Sequence, residues 1–314
     1  MKRVLHPAIA AVAIVLGACA SGPRTEPSSP ATAPRPPVDP RIGLRAGWFD
    51  AEEAIWNLRV LSRTPPSEAF INRASPGDFR LINSDISFSQ QYAIQGNFSG
   101  VQVWDISNPA QPRLHRAFVC PGSQSDVSVF RTLLFVSGEA LDGRVDCGTQ
   151  GIQDTVSHHR LRGIRIFDIT DIANPRPITN VQTCRGSHTH TVVTDPDDTA
   201  NVYIYVSGAA PVRSPSELPG CSAASPDEDP GSALFRIEVI QVPLANPAQA
   251  KIVSSPRIFS GLVEPPSHSE APEDIAAAAR RAAAARAAGG YTATIDGVEF
   301  VLGPGFVRAR LDSN

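Results

Sequence analysis

The sequence repeats itself three times, and this repeat limits the possible fold more than any other feature. The repeats begin at residues 84, 125 and 188, so the second carries about 22 more residues than the first. Each repeat contains four short runs of β-branched or aromatic residues, bounded by Gly, Asn-Pro or Asp. Such a unit predicts four short antiparallel strands. One sheet of this size cannot bury its faces alone and must stack on its neighbours.

The repeats predict an all-β fold, a propeller-like array of about three four-stranded antiparallel blades. In the first repeat the predicted strands are residues 86–88, 92–95, 101–106 and 113–119. A β-sandwich is the alternative. Propellers typically close with about four to eight blades, so three blades predict an incomplete ring. The resulting open sheet edge invites self-association or pairing with a partner.

Residues 261–314, after the repeats, have a different pattern. An Ala/Arg-rich stretch at 272–288 predicts a short helix, with acidic residues in its first turn and Gly289 at its end. A β-hairpin is expected next, with strands at 291–294 and 298–302. This region is too short for the missing blades. We therefore expect either a truncated propeller or a ring that a partner completes.

Composition excludes one class of partner. The formal net charge is −3 and only 19% of the residues are charged, so the chain lacks the basic surface that nucleic-acid binding requires. With 42% hydrophobic residues, 29 prolines and 23 glycines, the composition is that of a loop-rich globular protein.

The first 18 residues have the pattern of a secretory signal. Two basic residues precede an apolar run that is too short to span a bilayer, and the run ends in Leu-Gly-Ala-Cys. This ending resembles the lipobox of bacterial lipoproteins, which implies cleavage before Cys19 and lipidation of its thiol. The resemblance implies a lipid anchor in the cell envelope, either in the outer membrane or facing the periplasm or cell exterior. An ordinary cleaved signal is the alternative.

Two further segments precede the repeats. Residues 19–41 are rich in Pro, Ser and Thr and predict an extended tether. Residues 42–80 are expected to pack on the propeller, and residues 44–60 resemble a short amphipathic helix.

Two of the repeats share a specific motif. Gly-Val-Gln-Val-Trp-Asp-Ile-Ser-Asn-Pro at 100–109 and Gly-Ile-Arg-Ile-Phe-Asp-Ile-Thr-Asp at 163–171 resemble the LVIVD repeat of bacterial surface and exported proteins. The likeness covers roughly residues 80–260. In the third copy Glu238 takes the place of the motif Asp. The resemblance implies a β-propeller and no established chemistry, and Asp105 and Asp168 are expected to form turns rather than to catalyse.

Four cysteines remain if Cys19 is lipidated, and an even number in an exported chain favours two disulfides. Cys120 and Cys184 each end a fourth strand, whereas Cys147 and Cys221 each lie in an insertion between the second and third strands of the next blade. These two kinds of loop emerge on the same face of a blade. The repeats therefore predict the pairs Cys120–Cys147 and Cys184–Cys221 over the other pairings. A zinc site with four thiolates lacks the paired short spacings that such sites use.

The starts of the first strands are expected to face the central channel. Ser84, Ser125 and His188 align at this position, and Asp85 and Asp126 follow the two serines.

The sequence His-Thr-His at 188–190 is a candidate metal half-site. Alternation along a strand would place the His188 and His190 imidazoles on one side, about 7 Å apart along it, within reach of one zinc or copper ion. The alternative is that these histidines form hydrogen bonds across a polar channel or brace the neighbouring blade. The candidate further ligands are Asp126, Glu139, His158 and His159.

The sequence favours a lipid-anchored envelope protein that acts as a binding or scaffold module through long, disulfide-held loops on one face. Its ligand would be an unknown protein or small molecule. One alternative is a metal-dependent propeller enzyme that uses His188 and His190, and another is a non-functional fragment of a longer propeller. No catalytic acid, base or nucleophile is assigned from the sequence.

Overall fold

The structure is a computed structural model that describes residues 38–47, 49–75, 78–258, 271–289, 291–295 and 298–302. The chain divides into two compact units, Met1–Ile258 and Phe259–Asn314. The predicted signal at 1–18, the lipidation site Cys19 and most of the predicted tether lie outside the described residues. In the described part of the chain, no helix is long and apolar enough to cross a membrane.

Twelve strands form three four-stranded antiparallel sheets, each in sequential strand order. The first blade contains β1 (Asn83–Ser89), β2 (Tyr92–Asn97), β3 (Gly100–Asp105) and β4 (Arg113–Val119). The second contains β5 (Val127–Phe130), β6 (Leu133–Gly138), β7 (Gly163–Asp168) and β8 (Arg176–Gln182). The third contains β9 (His190–Asp195), β10 (Asp198–Ser207), β11 (Ile237–Pro243) and β12 (Lys251–Ser254).

The blades stack through apolar side chains, and the second blade is covered on both faces. In β6, Leu134 and Val136 pack in a cluster with residues of the first blade, whereas Leu133 and Phe135 pack in a cluster with the third. Every residue of β6 is buried, as expected for a strand with neighbours on both sides. The all-β, propeller-like fold with an incomplete ring is therefore confirmed. Self-association through an open edge stays a prediction.

Glycine begins the third strand of the first two blades. Gly100 has a φ of +141° and Gly163 a φ of +151°, a region that favours glycine. A Cβ at Gly100 would lie 2.2 Å from the Phe118 carbonyl oxygen, and one at Gly163 would lie 2.0 Å from the Val181 carbonyl oxygen. The glycines therefore let the third and fourth strands approach each other closely.

The strand register corrects one sequence alignment. Tyr203 pairs with Gln241 in the third blade, as Leu133 pairs with Asp168 in the second. Gln241, not Glu238, therefore occupies the position of the motif Asp. Glu238 pairs with Val206, as Arg165 pairs with Val136. The sequence-based alignment placed Glu238 wrongly because the third repeat lacks the glycine that marks the strand start.

The motif Asp residues form turns, as expected. The Ser107 backbone N–H donates to Asp105 Oδ1 at 2.9 Å, and the Thr170 N–H donates to Asp168 Oδ1 at 2.8 Å. These hydrogen bonds to Ser107 and Thr170 lower the pKa of each carboxyl. Such Asx turns keep the strand connections short on this side of the blades. We call this side, with its connections at 105–112 and 168–175, the turn face.

The N-terminal segment packs on the first blade, but the helix expected at 44–60 is wrong for the part of it that the structure describes. Those residues are extended or bent, and Asn57 has a φ of +55°, which interrupts a helix. Contact with the first blade comes later in the segment. Thr64 Oγ1 donates to the Pro112 carbonyl oxygen at 2.9 Å, and Phe70, which ends a 3₁₀ turn at Glu68–Phe70, is fully buried.

The second unit contains the predicted helix and hairpin. The helix α1 spans Pro272–Ala287, with Pro272 at its start, Glu273 and Asp274 in its first turn, and Arg286 in its last. Acidic side chains near the N-terminus of the helix and a basic side chain near its C-terminus both interact favourably with the helix dipole. The hairpin strands β13 (Tyr291–Ile295) and β14 (Val298–Leu302) pair antiparallel, as expected.

Candidate binding face

Two long insertions interrupt the second and third blades on the side opposite the turn face. They span residues 139–162, between β6 and β7, and residues 208–236, between β10 and β11. Disulfides Cys120–Cys147 and Cys184–Cys221 attach each insertion to the connection that precedes its blade. These are the pairs that the repeats predicted. We call the surface formed by the two insertions the insertion face.

A buried charged network joins the two insertions. Glu217, in the third-blade insertion, forms ion pairs with Arg160 of the second-blade insertion and, at 2.7 Å, with Arg213 of its own insertion. The Ser157 backbone N–H also donates to Glu217 at 2.9 Å. All three charged side chains are at most 6% exposed. Because one carboxylate binds arginines of both insertions, it connects the two insertions to each other.

Arg165 anchors the second-blade insertion from inside the sheet. It is 1% exposed, and its guanidinium donates to the carbonyl oxygens of Pro121 and Arg144, each at 2.8 Å. Burial lowers the pKa of Arg165 to about 10, so it stays protonated at neutral pH. A charged group buried this deeply is stabilised by the loop carbonyls that surround it. These hydrogen bonds attach the insertion to β7.

The insertion face also exposes large apolar side chains. Leu141 is 65% exposed and Val156 is 42% exposed in the second-blade insertion, and Phe235 is 56% exposed in the third-blade insertion. Phe235 also has a φ of +54°, an uncommon conformation for a bulky residue. These three side chains are apolar groups that the two insertions offer to a partner.

The predicted channel residues form a polar cluster between the blades. Ser84 Oγ donates to the Gln124 carbonyl oxygen, and the buried Ser125 donates to the Ser123 carbonyl oxygen at 3.4 Å. Asp126 is buried and accepts from the His190 backbone N–H at 2.9 Å. These bonds link the connection before β5 to β1 of the first blade and to β9 of the third.

Asp85 and Asp126 interact across this cluster. Partial desolvation of Asp85 and its hydrogen bond with Asp126 raise the pKa of the Asp85 carboxyl. A neighbouring carboxylate disfavours the charged form of a carboxyl group. The pair therefore supplies a carboxyl that binds a proton more readily than a free aspartate does.

His190 is buried beside this pair. Its side chain is fully buried, and its Nδ1 shares a hydrogen bond of 2.8 Å with Ser137 Oγ. Ser137 in turn shares one of 2.7 Å with Ser187. Burial lowers the pKa of His190 to about 4, so the imidazole is neutral at pH 7. Because Ser137, Ser187 and His190 are all buried, they brace the second blade against the third.

His188 and His190, the two histidines of the candidate metal half-site, lie in different surroundings. His188 precedes β9, so strand alternation does not apply to it. Its imidazole is 43% exposed, and its Nδ1 lies 2.5 Å from Glu139 Oε1. Asp126 contacts His190 instead, with its Oδ2 at 3.3 Å from Nδ1. The two histidines therefore have different carboxylate partners.

The two remaining candidate ligands lie at the surface. His158 and His159 are exposed on the second-blade insertion. Within the described ranges, no three His, Cys, Asp or Glu side chains are grouped so that they could hold a metal ion.

Several buried polar atoms lie beneath the insertion face without a partner in the part of the chain that the structure describes. They are Glu139 Oε2, Arg162 Nε, Arg165 Nε and His190 Nε2. An unsatisfied buried polar group costs about 1–3 kcal/mol, so such atoms are rare in native proteins. Their concentration here sets this region apart from the apolar contacts between blades.

The sequence reasoning missed the residues that hold the insertions together, namely Arg160, Arg165, Arg213 and Glu217. Two signals pointed to them. Arg213 and Glu217 are four residues apart, the spacing of a local ion pair, and arginines occupy 160, 162 and 165 around a buried strand.

No protein-family model matches this chain, and no curated protein matches it.

Proposed function

We propose that this protein is a lipid-anchored binding module of the bacterial cell envelope and that it recognises a protein partner through the insertion face. The observation that carries the proposal is the way the insertions are fixed. Each is tied to a blade by a disulfide, and both share the buried Glu217. Loops held rigidly on a scaffold lose little conformational entropy on binding. The exposed Leu141, Val156 and Phe235 supply apolar anchors for a partner.

The two disulfides also support an exported location. Disulfides persist in oxidising compartments such as the bacterial periplasm and are rare in the cytosol. Together with the lipobox-like sequence at 16–19 and the Pro-rich tether, they favour a folded unit displayed at a distance from the membrane.

Location and anchoring can be tested together. We expect wild-type protein to incorporate labelled palmitate and to fractionate with membranes, and we expect Cys19→Ala to lose both properties. If the signal of the wild-type protein is cleaved but the protein carries no lipid and is released in soluble form, the proposed lipid anchor is contradicted. Recovery from the cytosol with reduced cysteines would contradict the exported location.

The binding face can be tested by photo-crosslinking in intact cells. A photoreactive residue would replace Leu141, Val156 or Phe235 on the insertion face, or the exposed Ala110 or Asp197 on the turn face. We expect one discrete adduct that is shared by the insertion-face positions and absent from the turn-face positions. Equal adduct yields from the two faces, or none from the insertion face, would contradict the proposal.

We also propose that the blades are LVIVD-type repeats. The equivalent strand registers of Asp105 and Asp168, and the equivalent turns that both form, support this grouping. Glycine at 100 and 163 supports it for the first two copies. A profile built from the three copies tests this proposal, because it should align with the blades of that family without gaps inside strands.

A further inference from the structure

The first blade differs from the other two on the face that points away from the second blade. The equivalent positions there are Gln95, Gln102 and Trp104 in the first blade, as the strand registers show. In the second blade they are Val136, Arg165 and Phe167, and in the third they are Val206, Glu238 and Ile240. Two of the three positions are apolar and pack against a neighbouring blade in the second and third blades. The first blade has an amide and an indole there instead.

The N-terminal segment, rather than another blade, covers this face. The Ser67 backbone N–H donates to Gln102 Oε1 at 2.8 Å, which fixes the segment against a fully buried amide. The cover is incomplete, because a cavity of about 490 Å³ remains between the segment and β2–β3. This volume lies in the range of small-molecule binding sites.

The wall of this cavity is uncharged, and half of the residues that line it are apolar or aromatic, namely Phe49, Pro66, Leu81, Trp104 and Pro112. None of the described residues that line it has an ionisable side chain. Amide groups of Asn83 and Gln95, hydroxyls of Ser62 and Thr64, and the Trp104 ring contribute to the lining, and the fully buried Gln102 lies behind them. Amides and hydroxyls both donate and accept hydrogen bonds. The wall therefore matches a neutral ligand that has both hydroxyl groups and apolar faces.

The side chains that would contact a ligand are held in place by each other. Gln95 Oε1 accepts from Trp104 Nε1 at 3.1 Å and from Gln102 Nε2 at 3.5 Å. Both bonds use the Gln95 oxygen, so its NH₂ group takes no part in them. Preorganised polar groups beside an aromatic ring suit a sugar, whose ring has hydroxyls at its edge and C–H groups on its faces.

We propose that this cavity binds a neutral hexose unit of a saccharide. Amides would bond the hydroxyls, and Trp104 would pack on an apolar face of the sugar. The site lies on a different surface from the insertions, so it would give the protein a second binding function. This function can be tested independently of binding at the insertion face.

Isothermal titration of the folded protein with single sugars tests the proposal. The probes are the methyl glycosides of glucose, galactose and mannose, N-acetylglucosamine, and galacturonate as a charged analogue. We expect saturable binding of at least one neutral sugar, with an affinity that is unchanged between 50 and about 200 mM salt because no charge lines the site. We expect galacturonate to bind more weakly than galactoside, because the uncharged wall would desolvate its carboxylate.

Matched variants locate the site. Gln95→Val and Trp104→Phe introduce the residues that the second blade has at these positions, so each is compatible with the blade. We expect each to weaken sugar binding by about fivefold or more. Gln95→Val removes an amide that would bond the sugar, and Trp104→Phe removes the Nε1–H that holds this amide and shortens the ring that would pack on the sugar. Tyr205→Ala, on the outer face of the third blade, should leave the affinity unchanged. Circular dichroism would confirm that each variant is folded.

Several results would overturn the proposal. They are the failure of every neutral sugar to give saturable binding, tighter binding of galacturonate than of the neutral glycosides, or binding that the folded Gln95→Val and Trp104→Phe variants retain. None of these results bears on crosslinking at the insertion face.

Discussion

The blades and the insertions are held in place by different kinds of contact. Between blades, strands present alternating apolar residues such as Leu134 and Phe135 to two neighbours, and burial of these side chains holds the sheets together. The insertions contain little regular secondary structure and depend on two disulfides and on Arg160, Arg213 and Glu217. The repeat therefore builds a scaffold, whereas the insertions carry a surface that can change without changing the blades.

We expect the largest effect on stability from removing an apolar side chain between blades. Phe135→Ala should lower the free energy of unfolding by about 3–5 kcal/mol, because it leaves a cavity where a fully buried ring packs against the third blade. Denaturant-induced unfolding measures this loss. Phe88→Ala is the matched control, since Phe88 is 60% exposed and its removal should cost less than about 1 kcal/mol. Equal losses for the two variants would show that the blades do not depend on this contact.

Removal of a disulfide should have the next largest effect. Replacing both Cys184 and Cys221 with serine opens a loop that spans a sequence separation of 37 residues. The chain-entropy model gives a loss of about 3–4 kcal/mol in the free energy of unfolding. The corresponding change at Cys120 and Cys147, with a separation of 27, should cost slightly less. Unchanged denaturation midpoints would mean that the charged network alone holds the insertions.

The buried His190 makes stability depend on pH. Its pKa is about 4 in the folded protein and 6.5 without burial, so only the unfolded chain binds a proton between these values. Stability is therefore complete above about pH 6.5 and falls as the pH is lowered towards 4, by about 3 kcal/mol in total. The raised pKa of Asp85 works in the opposite direction at the acidic end, because folding favours its protonated form.

Thermal melts from pH 7.5 to 4 in wild type and His190→Asn measure this effect. Asparagine removes the titrating group and retains a hydrogen-bonding side chain for Ser137. We expect the variant to lose most of the pH slope. A slope that persists in a folded His190→Asn protein would assign the effect to other groups.

The smallest expected effect lies on the turn face. Asp168→Ala removes one hydrogen bond to the Thr170 N–H and a surface ion pair with Arg176. We expect a loss of about 1 kcal/mol or less, because exposed ion pairs contribute little and only one backbone bond is lost. Glu217→Ala is the comparison on the insertion face and should cost more, since it leaves two buried arginines without their carboxylate. Denaturation of both variants under the same conditions shows which substitution lowers the free energy of unfolding more.

The sequence was sufficient for the blades and the disulfides because both follow the repeat. Alternating apolar residues determine the strands, and the position of each cysteine within its repeat determines its partner. The third blade shows where this reasoning stops, since without a glycine at residue 236 the alignment shifted and Glu238 was placed where Gln241 lies.

The cluster of site residues was less predictable because it depends on contacts between loops. Strand alternation would pair His188 with His190 only if both were in β9, and β9 begins at His190. The partnership of Glu217 with Arg160 joins loops 57 residues apart, a distance at which spacing carries no signal.

Hydrogen exchange of oxidised and reduced protein tests most directly whether the insertions are held separately from the blades. After mild reduction of both disulfides, we expect amides of residues 139–162 and 208–236 to exchange within minutes, while amides of β6 and β7 remain protected. Simultaneous loss of protection in the insertions and in β6 and β7 would contradict the account, and so would insertions that stay as protected as they are in the oxidised protein.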